Sequence, residues 1–140
     1  MAAPPFALKQ IDHVVLRIRD LEKSLAFYCD VIGCSVEKRQ EEIGLIQVRA
    51  GSSLIDLIPI DRPLGRLGGA PPEKERRNVD HFALQIAPFD EAAIRAHLAK
   101  AGVAITDSGL RYGAEGTGPS VYVQDPDGNT VELKGPVRAG

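Results

Sequence analysis

The chain has 140 residues, 44% hydrophobic and 26% charged, with a formal net charge of -2 and a pI of about 5.9. That length suits a single domain, able to bury about 68–70% of the surface its unfolded chain exposes. The near-neutral, slightly acidic balance gives no general attraction to nucleic acid or an anionic membrane, and no apolar run approaches the ~20 residues of a transmembrane helix.

Met1-Ala2-Ala3-Pro4-Pro5-Phe6 lacks the charged and apolar regions of a signal peptide, so a cytoplasmic protein is the expectation. Ile11 to Ile18 is β-branched and apolar and predicts a strand. Asp20 sits where an N-cap would, Leu21, Leu25, Tyr28 and Ile32 recur at helical spacing, and Gly33 supplies the stop. Strand-like runs follow at Cys34 to Lys38, Ile43 to Ala50 and Ser53 to Ile60. Cys29 and Cys34 are too few for a disulfide framework, form no C-x-x-C pair, and read as small buried thiols.

Residues 61–78 carry Pro63, Gly65, Gly68, Gly69, Pro71 and Pro72 and then Glu73-Lys74-Glu75-Arg76-Arg77. This reads as a linker, with a solvated connector favoured over a lid or an inter-subunit arm. Val79 to Ala87 then predicts a strand, and Asp90 caps a helix with Ile94, Leu98 and Ala101 on one stripe and Gly102 at its end. Val103 to Thr106, Leu110 to Tyr112, Ser120 to Gln124 and Asn129 to Lys134 predict strands. Gly113 to Pro119 reads as a glycine-rich loop and Asp125-Pro126-Asp127-Gly128 as a turn.

The order β-α-β-β-β therefore occurs twice, over about 11–60 and 79–135, within one domain spanning 1–140. Ile11-Asp12-His13-Val14-Val15-Leu16 returns as Val79-Asp80-His81-Phe82-Ala83-Leu84, placing a histidine at one point of each copy. Strand parity puts His13, Arg17, His81, Gln85, Tyr122, Gln124, Glu132 and Lys134 on polar faces, opposite apolar ones.

A polar face could simply be wetted. Matched histidines are better explained by a polar face that wraps a cavity. Two imidazoles and a carboxylate make a facial triad with open positions, and Glu132 is the natural carboxylate. Asp56, inside the apolar run Leu54-Ile55-Asp56-Leu57-Ile58, is costly to bury unless paired or bound to metal. Taken singly, each histidine could be a hydrogen-bonded strand residue, Glu132 a surface acid, and Asp56 a partner of Arg17 or Arg49. His97 reads as a surface histidine. Gly113-Ala114-Glu115-Gly116-Thr117-Gly118 is not a P-loop, for want of Lys-Ser/Thr and a following helix, and no serine or cysteine has a nucleophile's setting.

The doubled module, the I-D-H and V-D-H segments and the closing Asp125-Pro126-Asp127-Gly128-Asn129-x-x-Glu132-Leu133 resemble the vicinal oxygen chelate superfamily over roughly Ile11 to Gly135. Its members include glyoxalase I, bleomycin and fosfomycin resistance proteins, methylmalonyl-CoA epimerase and extradiol dioxygenases. The resemblance implies an α+β fold of paired incomplete barrels around a metal-site cavity, commonly in a homodimer whose site is in some members shared between chains. It implies one divalent ion (Zn, Ni, Co, Mn or Fe) held by His13, His81 and Glu132. Asp56 stands where glyoxalase I has a glutamate serving as ligand and in proton transfer.

The implied activity is that of a glyoxalase-like lyase or isomerase acting on a small substrate with vicinal oxygens through a chelated enediolate-type intermediate, with Glu132 and Asp56 as the catalytic carboxylates. Arg17, Gln85, Tyr122 and Lys134 would contact substrate, on parity alone. The alternatives are an extradiol-type dioxygenase with iron and a protein that sequesters an antibiotic without turnover.

Overall fold

The computed structural model describes residues 3–138. Eight strands form two four-stranded mixed sheets. The first contains β1 (His13–Ile18), β2 (Ser35–Gln40), β3 (Leu45–Ala50) and β4 (Ser53–Pro59), in the order β1-β4-β3-β2. The second contains β5 (His81–Gln85), β6 (Asp107–Gly113), β7 (Gly116–Gln124) and β8 (Thr130–Lys134), in the order β5-β8-β7-β6. In each module the first strand runs parallel to the last and the others are antiparallel. The sheets do not close into a barrel, and β1 and β5 are both edge strands.

The helices start as their capping residues dictate. Asp20 accepts from the Lys23 amide at the head of α1 (Leu21–Leu25), and Asp90 accepts from the Ala93 amide at the head of α3 (Glu91–Lys100). Gly33 and Gly102 follow the two helical segments with φ of 100° and 74°, the left-handed region glycine enters freely. The first helix departs from the expected α-helix: Ala26–Val31 winds as a π-helix, with the Ile32 amide bonded to the Phe27 carbonyl. The wider turn lets the adjacent Phe27 and Tyr28 both face the core, where they are 5% and 0% exposed.

Three further expectations are corrected. Val103 to Thr106 is not a strand. The glycine-rich loop is instead the start of β7, paired with β6 across a short turn at Ala114 and Glu115. The linker contains a short helix, α2 (Pro63–Arg66), and is pinned by Arg17. The Arg17 guanidinium donates to the carbonyls of Gly65 (3.2 Å), Gly69 (2.6 Å) and Ala70 (2.9 Å). Repeated Gly and Pro leave these carbonyls without a ladder, so the half-buried Arg17 side chain can reach them.

The core is one cluster drawn from both modules. Leu16, Ile18, Phe27, Tyr28, Val48, Ile55 and Leu57 pack with Leu98, Val121, Val123, Val131 and Leu133. The apolar faces of the sheets are spent on this cluster and on the helices, so the opposite faces, which carry both exposed histidines and buried acids, are turned away from it.

Candidate metal centre

His13 and Asp56 meet in the first sheet, and His81 and Glu132 in the second. In both modules the acid is the register partner of the residue two places beyond the histidine: Val15 pairs with Asp56 and Ala83 with Glu132. Side chains two apart on a strand share a face, so each acid lies beside its histidine. His13 Nε2 is 3.9 Å from Asp56 Oδ2, and His81 Nε2 is 3.5 Å from Glu132 Oε1. Two ligands of one ion at ordinary bond lengths stand about 3.0–3.4 Å apart, so the His81–Glu132 pair is at about that spacing and the His13–Asp56 pair is wider.

Each pair is held by a matched set of neighbours. His13 Nδ1 is 2.7 Å from Asp12, and His81 Nδ1 is 2.7 Å from Asp80. A carboxylate on Nδ1 fixes the proton there and leaves Nε2 as a donor of electrons to metal. On the acid side, Gln47 Nε2 donates to Asp56 Oδ1 at 3.1 Å, and the Ser120 hydroxyl donates to Glu132 Oε2 at 2.7 Å. In both cases one carboxylate oxygen is spoken for and the other faces the imidazole. Both acids are buried, at 4% and 5% exposure, whereas the histidines are open to solvent. The pairing of Asp56 with Arg17 or Arg49 is not observed, since Arg49 binds Glu37.

The electrostatics follow the contacts. The Asp12 hydrogen bond, and then the Asp56 charge, hold His13 above its ordinary pKa. Asp80 is held below the usual carboxylate range, first by its hydrogen bond to His81 and then by Arg77. Tyr122, opposite Glu132 in the β7–β8 register and edge-on to His81, is raised by desolvation and by Glu132.

Within one chain the four groups do not converge, and the choice between a site in one chain and a site shared by two was left open by the sequence. Among the described residues no three His, Cys, Asp or Glu side chains come close enough to hold an ion. The two pairs belong to separate sheets whose edge strands β1 and β5 are not joined, because the modules meet through their apolar faces and helices. Two concavities flank α3, one lined by Leu98, Ala99 and Val103 and the other by Ile32, Ile94 and His97, and neither is lined by either pair.

The four substrate candidates are placed differently. Arg17 is committed to the linker, Gln85 is exposed and lies across from Lys134 in the β5–β8 register, and Tyr122 and Lys134 flank Glu132. His97 is an exposed histidine as expected, and its Nε2 is 2.8 Å from the Val31 carbonyl, linking α3 to the π-helix. The residues that sequence reasoning missed are Asp12, Asp80, Gln47 and Ser120. The doubled Asp-His dipeptide could have indicated the first two, whereas the others depend on cross-strand register.

Comparison with known proteins places this geometry in a family. Residues 10–133 match the family model of the Glyoxalase/Bleomycin resistance protein/Dioxygenase superfamily. The chain is 32% identical over 124 residues to catechol-2,3-dioxygenase of Bacillus subtilis, aligning with 88% of this chain and only 40% of that protein. It is 24% identical over 136 residues to human mitochondrial methylmalonyl-CoA epimerase, covering 91% of this chain and 74% of the other. Among solved structures, virulence protein STM3117 of Salmonella typhimurium superposes with a TM-score of 0.72 at 25% identity, over 94% of this chain and 100% of that one. The two open mixed sheets, the duplicated strand order and the match across nearly the whole length agree: this chain belongs to the Glyoxalase/Bleomycin resistance protein/Dioxygenase superfamily.

Proposed function

We propose that the protein is a metal-dependent enzyme of the glyoxalase type, acting on a small substrate with adjacent oxygens at a site built between two copies of the chain. The observation that carries this reading is the pair of matched half-sites, His13 with Asp56 and His81 with Glu132, each braced through Nδ1 by the preceding aspartate. Each half supplies one nitrogen and one oxygen donor, a set that suits a divalent first-row ion. A twofold dimer that sets β1 of one chain beside β5 of its partner would unite the halves, and it would do so twice. The segment that leads into β1, and the strand itself, carry exposed apolar side chains: Phe6, Leu8 and Ile11 are 69%, 92% and 81% exposed, and Val15 of β1 is 44% exposed.

A divalent ion bound there supplies Lewis acidity toward two neighbouring substrate oxygens. His13, His81 and Glu132 would hold it. Asp56, with Oδ1 taken by Gln47 and Oδ2 facing His13, would be a fourth ligand or the base that takes a proton from one substrate carbon and returns it to the next. The test is to strip the protein of metal, restore single divalent ions, and assay isomerisation of a hemithioacetal alongside elemental analysis. A chain that retains no ion, and is inactive with every ion tried, would end the proposal.

A second reading is favoured by the likeness to the Bacillus dioxygenase. In that case His13, His81 and Glu132 would hold iron, oxygen would be consumed with catechols, and Asp56→Ala would retain activity. A sequestering protein would bind its ligand equally well without metal.

A further inference from the structure

Peptide groups along a strand point alternately to its two sides. In β1 the carbonyls of Asp12 and Ile18 accept from Leu54 and Ile60 on the β4 side, while Arg17 turns its amide and carbonyl outward, to the side chain of Asn78. The odd-numbered residues of this stretch therefore face away from the sheet. In β5 the Ile86 amide bonds to the Lys134 carbonyl, so His81, Ala83 and Gln85 likewise face outward. Among the described residues nothing bonds the outward amides and carbonyls of His81, Ala83 and Gln85. Such an open edge is a template for a strand from elsewhere.

The segment before β1 matches that template. Residues 7–12 have no regular structure, and Phe6 and Leu8 are largely exposed. Both β1 and β5 are the open edges of homologous sheets. Joining these edges with the histidine faces on one side turns one module by half a revolution in the plane of the sheet, so the strands run antiparallel. With His13 opposite the partner's His81, the outward residues pair in step: Ile11 meets the partner's Ala83 and Lys9 meets the partner's Gln85. Since β1 begins only at His13, the ladder for β5 comes from the residues that precede it. Even-numbered residues take the opposite, apolar face. Leu8 then falls beside the partner's Ile86, and Phe6 points toward the partner's Pro88. Ile86 and Pro88, with Ile32, Ile94 and Leu133, line an open apolar concavity of about 330 Å³ beside α3.

We propose that residues 6–12 of one chain extend β1 and add to β5 of a second copy, seating Leu8 and Phe6 in that copy's concavity, and that the two chains exchange these arms reciprocally. The register rests on the two-chain reading of the metal site, whereas the open edge and the apolar concavity stand without any ion. The exchange also brings Ile11 onto the metal face beside the partner's Ala83, as a wall of the shared cavity.

In this register Leu8 and the partner's Ile86 form a non-hydrogen-bonded pair, whose Cα atoms approach to about 4.5 Å, within reach of a disulfide. The full-length chain with Leu8→Cys and Ile86→Cys is oxidised with copper–phenanthroline and run on non-reducing gels. Each single substitution is run beside it, to account for Cys29 and Cys34. A covalent dimer specific to the double variant, with peptides containing positions 8 and 86 joined between chains, supports the exchange. A cross-link confined to one chain places the arm on its own concavity, and absence of any cross-link leaves the β5 edge uncovered; either result overturns the proposal. Elemental analysis of the same samples, prepared with and without zinc, keeps the two readings apart. A covalent dimer that holds no ion supports the arm and counts against the metal site. Zinc retained without the cross-link supports the site and overturns the arm.

A second measurement needs no new cysteine. Phe6→Asp with Leu8→Asp alters side chains that the single chain exposes, so folding is retained. It should raise the dimer dissociation constant roughly a hundredfold, as loss of two buried apolar side chains requires, and speed hydrogen exchange at the Ala83 and Gln85 amides. An unaltered dissociation constant by sedimentation overturns the proposal.

Discussion

The Tyr28 hydroxyl donates a 2.6 Å hydrogen bond to Asp125 Oδ2, joining the π-helix of the first module to the closing turn of the second. Asp125 also accepts from the amides of Asp127 and Asn129 and from the Asn129 side chain. Asn129 in turn accepts from Asn78, whose side chain also bonds both backbone groups of Arg17. Asp127 accepts from the Arg19 amide. The Asp-Pro-Asp-Gly-Asn segment is therefore a clasp between modules as well as a turn, and β8, which carries Glu132, starts directly from it.

Tyr28→Phe should destabilise the fold by about 1–3 kcal/mol, the cost of removing one partner from a buried charged acceptor. Burial, with Asp125 beside it, raises the Tyr28 pKa far above its ordinary 10.0, and burial raises Cys34 to about 11. Groups raised in the folded state hold their protons there after the unfolded chain has lost them. Their contribution is intact below the unfolded values and declines as pH climbs past them. Stability should fall above pH 9 and more steeply above pH 10, and Tyr28→Phe should reduce the slope above pH 10 by about 1.4 kcal/mol per pH unit. Urea denaturation between pH 7 and 11 gives both quantities, and an unchanged alkaline slope would refute the assignment.

Joint use of two chains by one site can be read from mixed dimers. A chain with His13→Ala and Asp56→Ala should retain no metal alone, nor should one with His81→Ala and Glu132→Ala. Co-expressed, they should recover about one ion per heterodimer, because one of the two shared sites is then intact. Elemental analysis of the tagged heterodimer is the measurement; absence of recovery from a folded heterodimer would contradict a shared site.

Asp12→Asn and Asp80→Asn should each weaken metal binding about 10–100-fold with all four proposed ligands in place, the effect ordinarily seen when a histidine loses its outer carboxylate. Protons and metal compete for His13 Nε2, and Asp12 raises the His13 pKa. Metal is therefore lost as pH falls through that raised value, and Asp12→Asn should move the His13 part of the loss to lower pH even as it lowers affinity at neutral pH. Zinc competition titrations from pH 5 to 8 resolve the two effects.

Arg17→Ala should loosen the linker. Three carbonyl contacts to a charged donor are lost, and local opening should become roughly tenfold more frequent, for about 1.5 kcal/mol of lost local stability. Gly68→Ala should act similarly, since its Cβ would stand 2.3 Å from Arg17 Nε. Tryptic cleavage at Arg66 under native conditions reports the opening. A change in substrate KM with no change in cleavage would instead assign Arg17 to the substrate.

Period-two alternation in β1, β5, β7 and β8 was enough to sort His13, His81, Tyr122, Glu132 and Lys134 onto the polar faces, because strand parity is a local property of the backbone. The repeat, the two caps Asp20 and Asp90, and the glycines that end the helical segments were legible for the same reason. Asp56 stood out as an acid within an apolar strand, and it is buried as that context requires.

The partnerships were not legible. Gln47 with Asp56, Ser120 with Glu132, Tyr28 with Asp125 and Arg17 with the linker join residues 9, 12, 97 and 48 or more positions apart, and their selection depends on register and on how the modules pack. The duplicated module and the side of the sheet on which its histidines stand follow from residue order alone. That each histidine pairs separately with its own module's acid is set by packing: burying both apolar faces in one core leaves β1 and β5 as unjoined edges.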